Sequence, residues 1–155
     1  MAKVSIIGAG SWGTALSIVL YNNGHEVTVW SVIEEEIQML REKREHVDKL
    51  PGVKLPEEIT FTTDLGEAVQ GRDMLVLAVP SPFTRSTSAK MKEYVSEGQL
   101  IVNVAKGIEE ATLMTLTDII SEEIPQAEVA ALSGPSHAEE VGKGLPTTCV
   151  AGARR

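Results

Sequence analysis

The chain has one cysteine, Cys149, among 155 residues, so no internal disulfide can form. That excludes a disulfide-stapled secreted scaffold, and a reducing cytoplasm is the expected location. Basic residues are outnumbered: Lys and Arg total 14 against 22 Asp and Glu, a formal net charge of -8. Such a balance argues against binding the phosphate backbone of DNA or RNA. No apolar run approaches the 18 or so residues that a membrane helix needs. The first one, Val4 to Ile7, is broken by Gly8 too early for the apolar stretch of a secretion signal. The three histidines are scattered, and with a single cysteine they make no metal-ligand spacing, so no metal is expected. Repeats, low-complexity tracts and Ser/Gly linkers are also missing, which leaves one domain over residues 1–155 as the expectation.

What is present is a globular composition, 43% apolar and 23% charged. Short β-rich runs alternate with helical patterns. Lys3 to Ile7 reads as a strand, and Trp12, Ala15, Leu16, Val19 and Leu20 then fall at helical spacing, predicting a helix packed on a sheet through that stripe. Asn22-Asn23-Gly24 closes the helix, and Glu26 to Trp30 is a second strand. A charged helix over Glu34 to Glu45, a loop over His46 to Glu58 and a strand over Ile59 to Thr62 follow, after which Asp64 caps a brief helix ending at Gly71. Met74 to Val79 and Leu100 to Ala105 are nearly all apolar, as expected of parallel strands covered on both faces. Leu113, Leu116, Ile120 and Ile124 make another helical stripe, and Val129 to Leu132 and Thr147 to Ala151 read as the last strands. The alternation predicts an α/β fold with a doubly wound parallel sheet.

Gly8-Ala9-Gly10-Ser11-Trp12-Gly13 matches G-x-G-x-x-G between the first strand and the first helix, where the pattern signals a Rossmann dinucleotide site. Gly8 suits a tight turn, Gly10 the close approach of a pyrophosphate, and Gly13 the packing of helix on strand. Amides at the helix start would face the phosphates. The acidic residue that usually ends the second strand is not in place. That strand runs out through Trp30-Ser31-Val32-Ile33, and Glu34, Glu35 and Glu36 come late, in a first helical turn where carboxylates complement the dipole. No arginine stands there to take a 2′-phosphate, so NAD and NADP both stay open.

In such a sheet, ligands lie outside the carboxyl ends of the strands. Those ends read Ala78-Val79-Pro80-Ser81, Asn103-Val104-Ala105-Lys106-Gly107 and Ser133-Gly134-Pro135-Ser136-His137-Ala138. Pro80 bends the chain over the nucleotide region. Lys106 is placed to reach a phosphate or polarise a carbonyl, or else is a solvated surface lysine. Gly134 and Ser136 offer donors to an anion, or simply build a turn. His25, His46, His137 and Cys149 receive no role.

Read together, these segments closely resemble the amino-terminal domain of bacterial NAD(P)-dependent glycerol-3-phosphate dehydrogenases. The resemblance is carried by Gly8-Ala9-Gly10-Ser11-Trp12-Gly13-Thr14-Ala15, Leu77-Ala78-Val79-Pro80-Ser81, Val104-Ala105-Lys106-Gly107-Ile108-Glu109 and Leu132 to Val141, in family order. It implies that Ser11, Trp12 and Ala138 contact the dinucleotide, that Lys106 contacts cofactor and substrate, and that Gly134 and Ser136 hold a sugar phosphate. Val32 and Lys49 would border the adenosine side, where the family often has Arg or His and Tyr. It also implies a small-molecule sugar-phosphate substrate, a place in glycerophospholipid metabolism, and a chain about twice as long. In that longer chain a helical domain would carry the catalytic lysine. On this reading the present sequence is a fragment with no catalytic base of its own, the base lying beyond Arg155. A homo-oligomer stays open. A non-catalytic NAD(H) sensor, and the first domain of a ketopantoate reductase or 6-phosphogluconate dehydrogenase, are the rival readings.

Overall fold

A computed structural model describes residues 1–133 and 150–153. Seven strands form one sheet: β1 (Lys3–Ile7), β2 (Glu26–Trp30), β3 (Thr60–Thr62), β4 (Met74–Leu77), β5 (Leu100–Asn103), β6 (Glu128–Ser133) and β7 (Val150–Ala153). Among the described residues, five α-helices lie between the strands from β1 to β6: α1 (Ser11–Asn22), α2 (Glu34–Lys43), α3 (Leu65–Val69), α4 (Thr84–Met91) and α5 (Leu116–Glu123). The strand order is β3-β2-β1-β4-β5-β6-β7, parallel from β3 to β6. The chain therefore builds outward from β1 in one direction, crosses over, and builds outward from β4 in the other. The crevice between β1 and β4 is the switch point at which such sheets bind ligands.

Alternation along the central strands explains why both faces are covered. Val4, Ile6, Val27, Val29 and Val76 pack with α1 and α2 on one face; Ile7, Leu75, Leu77 and Ile101 pack with α3, α4 and α5 on the other. Each fully buried Ile or Leu contributes about 1.5–3 kcal/mol relative to exposure. The Asp64 side chain accepts from the Glu67 amide and caps α3, as its sequence position predicts. Among the described residues, no helix is long and apolar enough to cross a membrane.

One expectation is refined and three need correcting. The stripe of α1 packs on the core with Ala15 buried and Trp12, Leu16, Val19 and Leu20 half-buried against it, but the fully buried face is Gly13, Thr14, Ala15, Ser17 and Ile18. Helix and sheet approach so closely that small residues fill the seam, and Ser17 Oγ is satisfied locally by donating to the Thr14 carbonyl at 2.6 Å. Leu113 belongs to no helix; it is 71% exposed with φ of 59°, and α5 begins at Leu116 after the Thr115 cap. Helix α4, which lacks an apolar stripe, was not expected: it buries Thr84, Thr87, Ser88 and Met91. The last strand is Val150–Ala153 and pairs antiparallel with β6, so the sheet is parallel only up to that edge. Residues 147–149 lie outside the described residues.

Candidate functional site

The carboxyl ends of β1, β2, β4 and β5 open into a single cleft of about 740 Å³. On its first wall the three glycines of the β1–α1 loop have three different reasons to be glycine. Gly8 has φ of +118°, and a Cβ there would meet the backbone of Ala78 and Val79 at 2.8 Å. A Cβ on Gly13 would collide with the Gly8 carbonyl and crowd Ile6 and Ala78. Gly10 is different: a Cβ there meets nothing among the described residues within 4 Å, yet the residue lines the cleft. Folding does not require that glycine. Its missing side chain leaves open space at the start of α1, where among the described residues no side chain caps the helix. An uncapped helix start behind bare backbone is an anion cradle, and it fits the pyrophosphate of a dinucleotide.

The second wall is a corner of charged side chains. Beyond β2 the chain passes Ser31, Val32 and Ile33 and enters α2, whose third residue, Glu36, turns inward and lines the cleft. Arg44, in the left-handed region with φ of 50°, ends α2 and sends the chain back along the helix. His46 is thereby buried against Glu36, donating from Nε2 to Oε2 at 3.0 Å. Lys49 Nζ reaches the same oxygen at 3.4 Å, and Ser31 Oγ donates to the other at 2.8 Å. Burial pushes the Glu36 carboxyl upward, but the hydrogen bonds from Ser31 and His46 and the charge of Lys49 prevail, leaving it below its ordinary value and ionised at neutral pH. The arginines of α2 are engaged elsewhere: Arg41 donates to the Phe61 carbonyl and Arg44 to that of Ile59, each at 2.6 Å.

The third wall follows β4 and β5. Pro80 leads into a 3-10 turn over Ser81–Phe83, and α4 presents Ser86, Thr87 and Lys90 to the cleft. Lys106, exposed, comes from the segment after β5. That segment is tied down three residues later. Arg85 of α4 grips Glu109 with two hydrogen bonds, at 2.8 and 2.9 Å, and also reaches Glu123 at 2.9 Å and Glu122 at 3.3 Å. The Arg85 guanidinium, helped by the Thr112 hydroxyl, holds the Glu109 carboxyl at about 2. The same ion pairs push Arg85 upward.

Eight residues singled out from sequence thus border this one cleft: Gly8, Gly10, Ser11, Trp12, Val32, Lys49, Pro80 and Lys106. Gly13 stands behind it, at the seam between α1 and the sheet. Gly134, Ser136, His137, Ala138 and Cys149 lie outside the described residues. His25 accepts from the Ala2 amide at 3.0 Å, away from the cleft. Sequence reasoning missed the Ser31–Glu36–His46–Lys49 corner, whose members are up to 18 positions apart with no motif to join them. It also missed the α4 wall, where polar residues stand at the buried positions.

Residues 3–155 match the family described as the NAD-dependent glycerol-3-phosphate dehydrogenase N-terminus. The chain belongs to that family. It is 68% identical over 154 residues to glycerol-3-phosphate dehydrogenase [NAD(P)+] of Agathobacter rectalis, covering 99% of this chain and 46% of that protein. The protein of the same name from Fusobacterium nucleatum is 55% identical over 155 residues, again with 99% and 46% covered. Among solved structures, glycerol-3-phosphate dehydrogenase from Coxiella burnetii superposes with a TM-score of 0.91 at 30% identity, over 97% of this chain and 46% of that one. The chain therefore spans about half the length of the curated relatives it matches.

Proposed function

We propose that this chain is the cofactor-binding half of an NAD(P)-dependent enzyme interconverting sn-glycerol 3-phosphate and dihydroxyacetone phosphate. The observation that carries the reading is Gly10, a glycine whose missing side chain would meet nothing among the described residues, set where an uncapped helix opens into the cleft of a family member. The nicotinamide dinucleotide, when bound, supplies the hydride carrier. The chain's own residues bind and orient. Gly8, Gly10, Ser11 and Trp12 would receive the pyrophosphate through backbone amides; Val32 and Lys49 would border the adenosine; Pro80 would close over the sugar; and Ala138 would touch the cofactor. Lys106 would hold the substrate oxygen that gains or loses charge as hydride moves, with Gly134 and Ser136 gripping the phosphate. Dehydrogenation also needs a base for the hydroxyl proton. We assign that base to a lysine in the part of the relatives' length that this chain does not span. A cytoplasmic location and a role in glycerophospholipid metabolism complete the proposal.

Binding and turnover should then separate. The 155 residues alone should quench or transfer tryptophan fluorescence on titration with NADH, while absorbance at high protein concentration shows no glycerol 3-phosphate oxidation and no dihydroxyacetone phosphate reduction. A protein of the relatives' full length should catalyse both. Robust turnover by this chain would instead make Lys106 or His137 the acid-base group.

A further inference from the structure

We propose that Glu36 sets the choice between the two nicotinamide dinucleotides: its carboxylate accepts from a free ribose 2′-hydroxyl and repels a 2′-phosphate, with Lys49 held in reserve as its counter-ion. The inference rests on the dinucleotide reading of the cleft and deepens it.

A carboxylate offers about four acceptor positions. Three are taken, by Ser31 on one oxygen and by His46 and Lys49 on the other. One position remains, on the oxygen that Ser31 shares. Glu36 lines the cleft just past the end of β2, where a ribose lies in this fold. A hydroxyl can donate into that free position, whereas a phosphate can only accept and brings charge of the same sign. The side chain is only 10% exposed and His46 beneath it 2%, so the carboxylate is fixed in place and little screened by solvent.

The cations on the cleft wall fit the same reading. Val32, at the strand end, is apolar and 70% exposed, and Arg41 and Arg44 are spent on carbonyls of the β3 edge. Of the lysines that line the cleft among the described residues, Lys90 comes from α4 and Lys106 from beyond β5, while Lys49 stands at this corner, where Glu36 neutralises it. Removing the Glu36 charge would remove the repulsion and release an ammonium for a 2′-phosphate in one step.

The test titrates NADH and NADPH into the 155-residue chain at one fixed salt concentration, reading Trp12 and Trp30, which both line the cleft. The unaltered chain should bind NADH about tenfold or more tightly than NADPH. Glu36→Gln should cut that ratio by about tenfold or more, through gained NADPH affinity. Adding Lys49→Met to Glu36→Gln should abolish the gain. Lys49→Met alone should weaken NADPH more than NADH and so widen the ratio, and Lys90→Met should shift both cofactors together. A preference for NADPH in the unaltered chain, or a Glu36→Gln variant that changes both affinities by one factor, overturns the inference while the dinucleotide reading stands. Should Glu36→Gln fail to fold by circular dichroism, the ratio in Lys49→Met decides, and an unchanged ratio overturns it. Failure of the unaltered chain to bind either cofactor overturns both readings.

Discussion

The first wall of the cleft and the two that face it are built from different materials. At the β1–α1 loop the surface is backbone: Gly8 and Gly13 are locked against Ala78 and against each other, and Gly10 leaves bare amides at a helix start. The other walls are side chains bridging elements, Glu36 with His46 and Lys49 in one place and Arg85 with Glu109 in the other. At Gly8 and Gly13 backbone geometry tolerates almost no substitution, because an added Cβ strikes main-chain atoms that cannot rotate away. Side-chain ties fail by degrees. The walls should therefore respond to mutation in different ways.

The sharpest contrast lies within the loop itself. Gly13→Val should destabilise the fold by about 3 kcal/mol or more, since its side chain collides with the Gly8 carbonyl in a seam that cannot open. Gly10→Val should leave the urea midpoint and far-UV circular dichroism unchanged and abolish NADH binding. A stable Gly13→Val chain, or a Gly10→Val chain with full affinity, would break the distinction between glycines that serve the fold and a glycine that serves the ligand.

Lys106→Ala comes next in size. In a protein of the relatives' full length it should lower kcat/KM by about 100-fold, roughly 2.7 kcal/mol for one charged donor. The melting temperature should hardly move, because the residue is exposed. Near-normal kinetics would return Lys106 to the class of solvated surface lysines.

The smallest effect should come from Glu109, the anchor of the segment that carries Lys106. Its carboxyl lies at about 2 in the folded chain against an ordinary 4.5. A group whose value is lowered by folding contributes stability that is complete above the ordinary value and is lost as pH falls through the folded one. Urea midpoints of the unaltered chain and Glu109→Gln should thus differ above pH 4.5 and converge as pH drops towards 2. The gap should be modest and should shrink in salt, since the pair is accessible to solvent. A gap independent of pH would assign the loop's anchoring to contacts other than this ion pair.

The same contrast explains what could be read before the structure. Backbone constraints are written locally: Gly8, Gly10 and Gly13 fall within six positions, and buried strands such as Met74–Leu77 show as apolar runs. The doubly wound sheet and one wall of the cleft were accordingly legible. Side-chain ties are not local. His46 meets Glu36 only because Arg44 turns the chain back, and neither the left-handed turn nor the pairing has a signature. Helix α4 escaped because Thr84, Thr87 and Ser88 occupy its buried positions, where periodicity analysis looks for Leu and Ile. The stripe expected on α1 does pack on the core, yet it is not the deepest part of the helix, for a related reason. Small residues were the ones packed deepest, and hydrophobicity does not measure closeness of approach.

The interlock of Gly8 and Gly13 has one more consequence, for entropy. Where two elements meet main chain to main chain, there are no rotamers to freeze when a ligand arrives, and the loop has already given up its freedom during folding. Ordering costs on association fall instead on the walls with long side chains, Lys49, Lys90 and Lys106, and on the Phe83 ring, 58% exposed on its 3-10 turn. The glycine loop acts as a preorganised anvil, and any closing of the cleft has to come from the walls that face it.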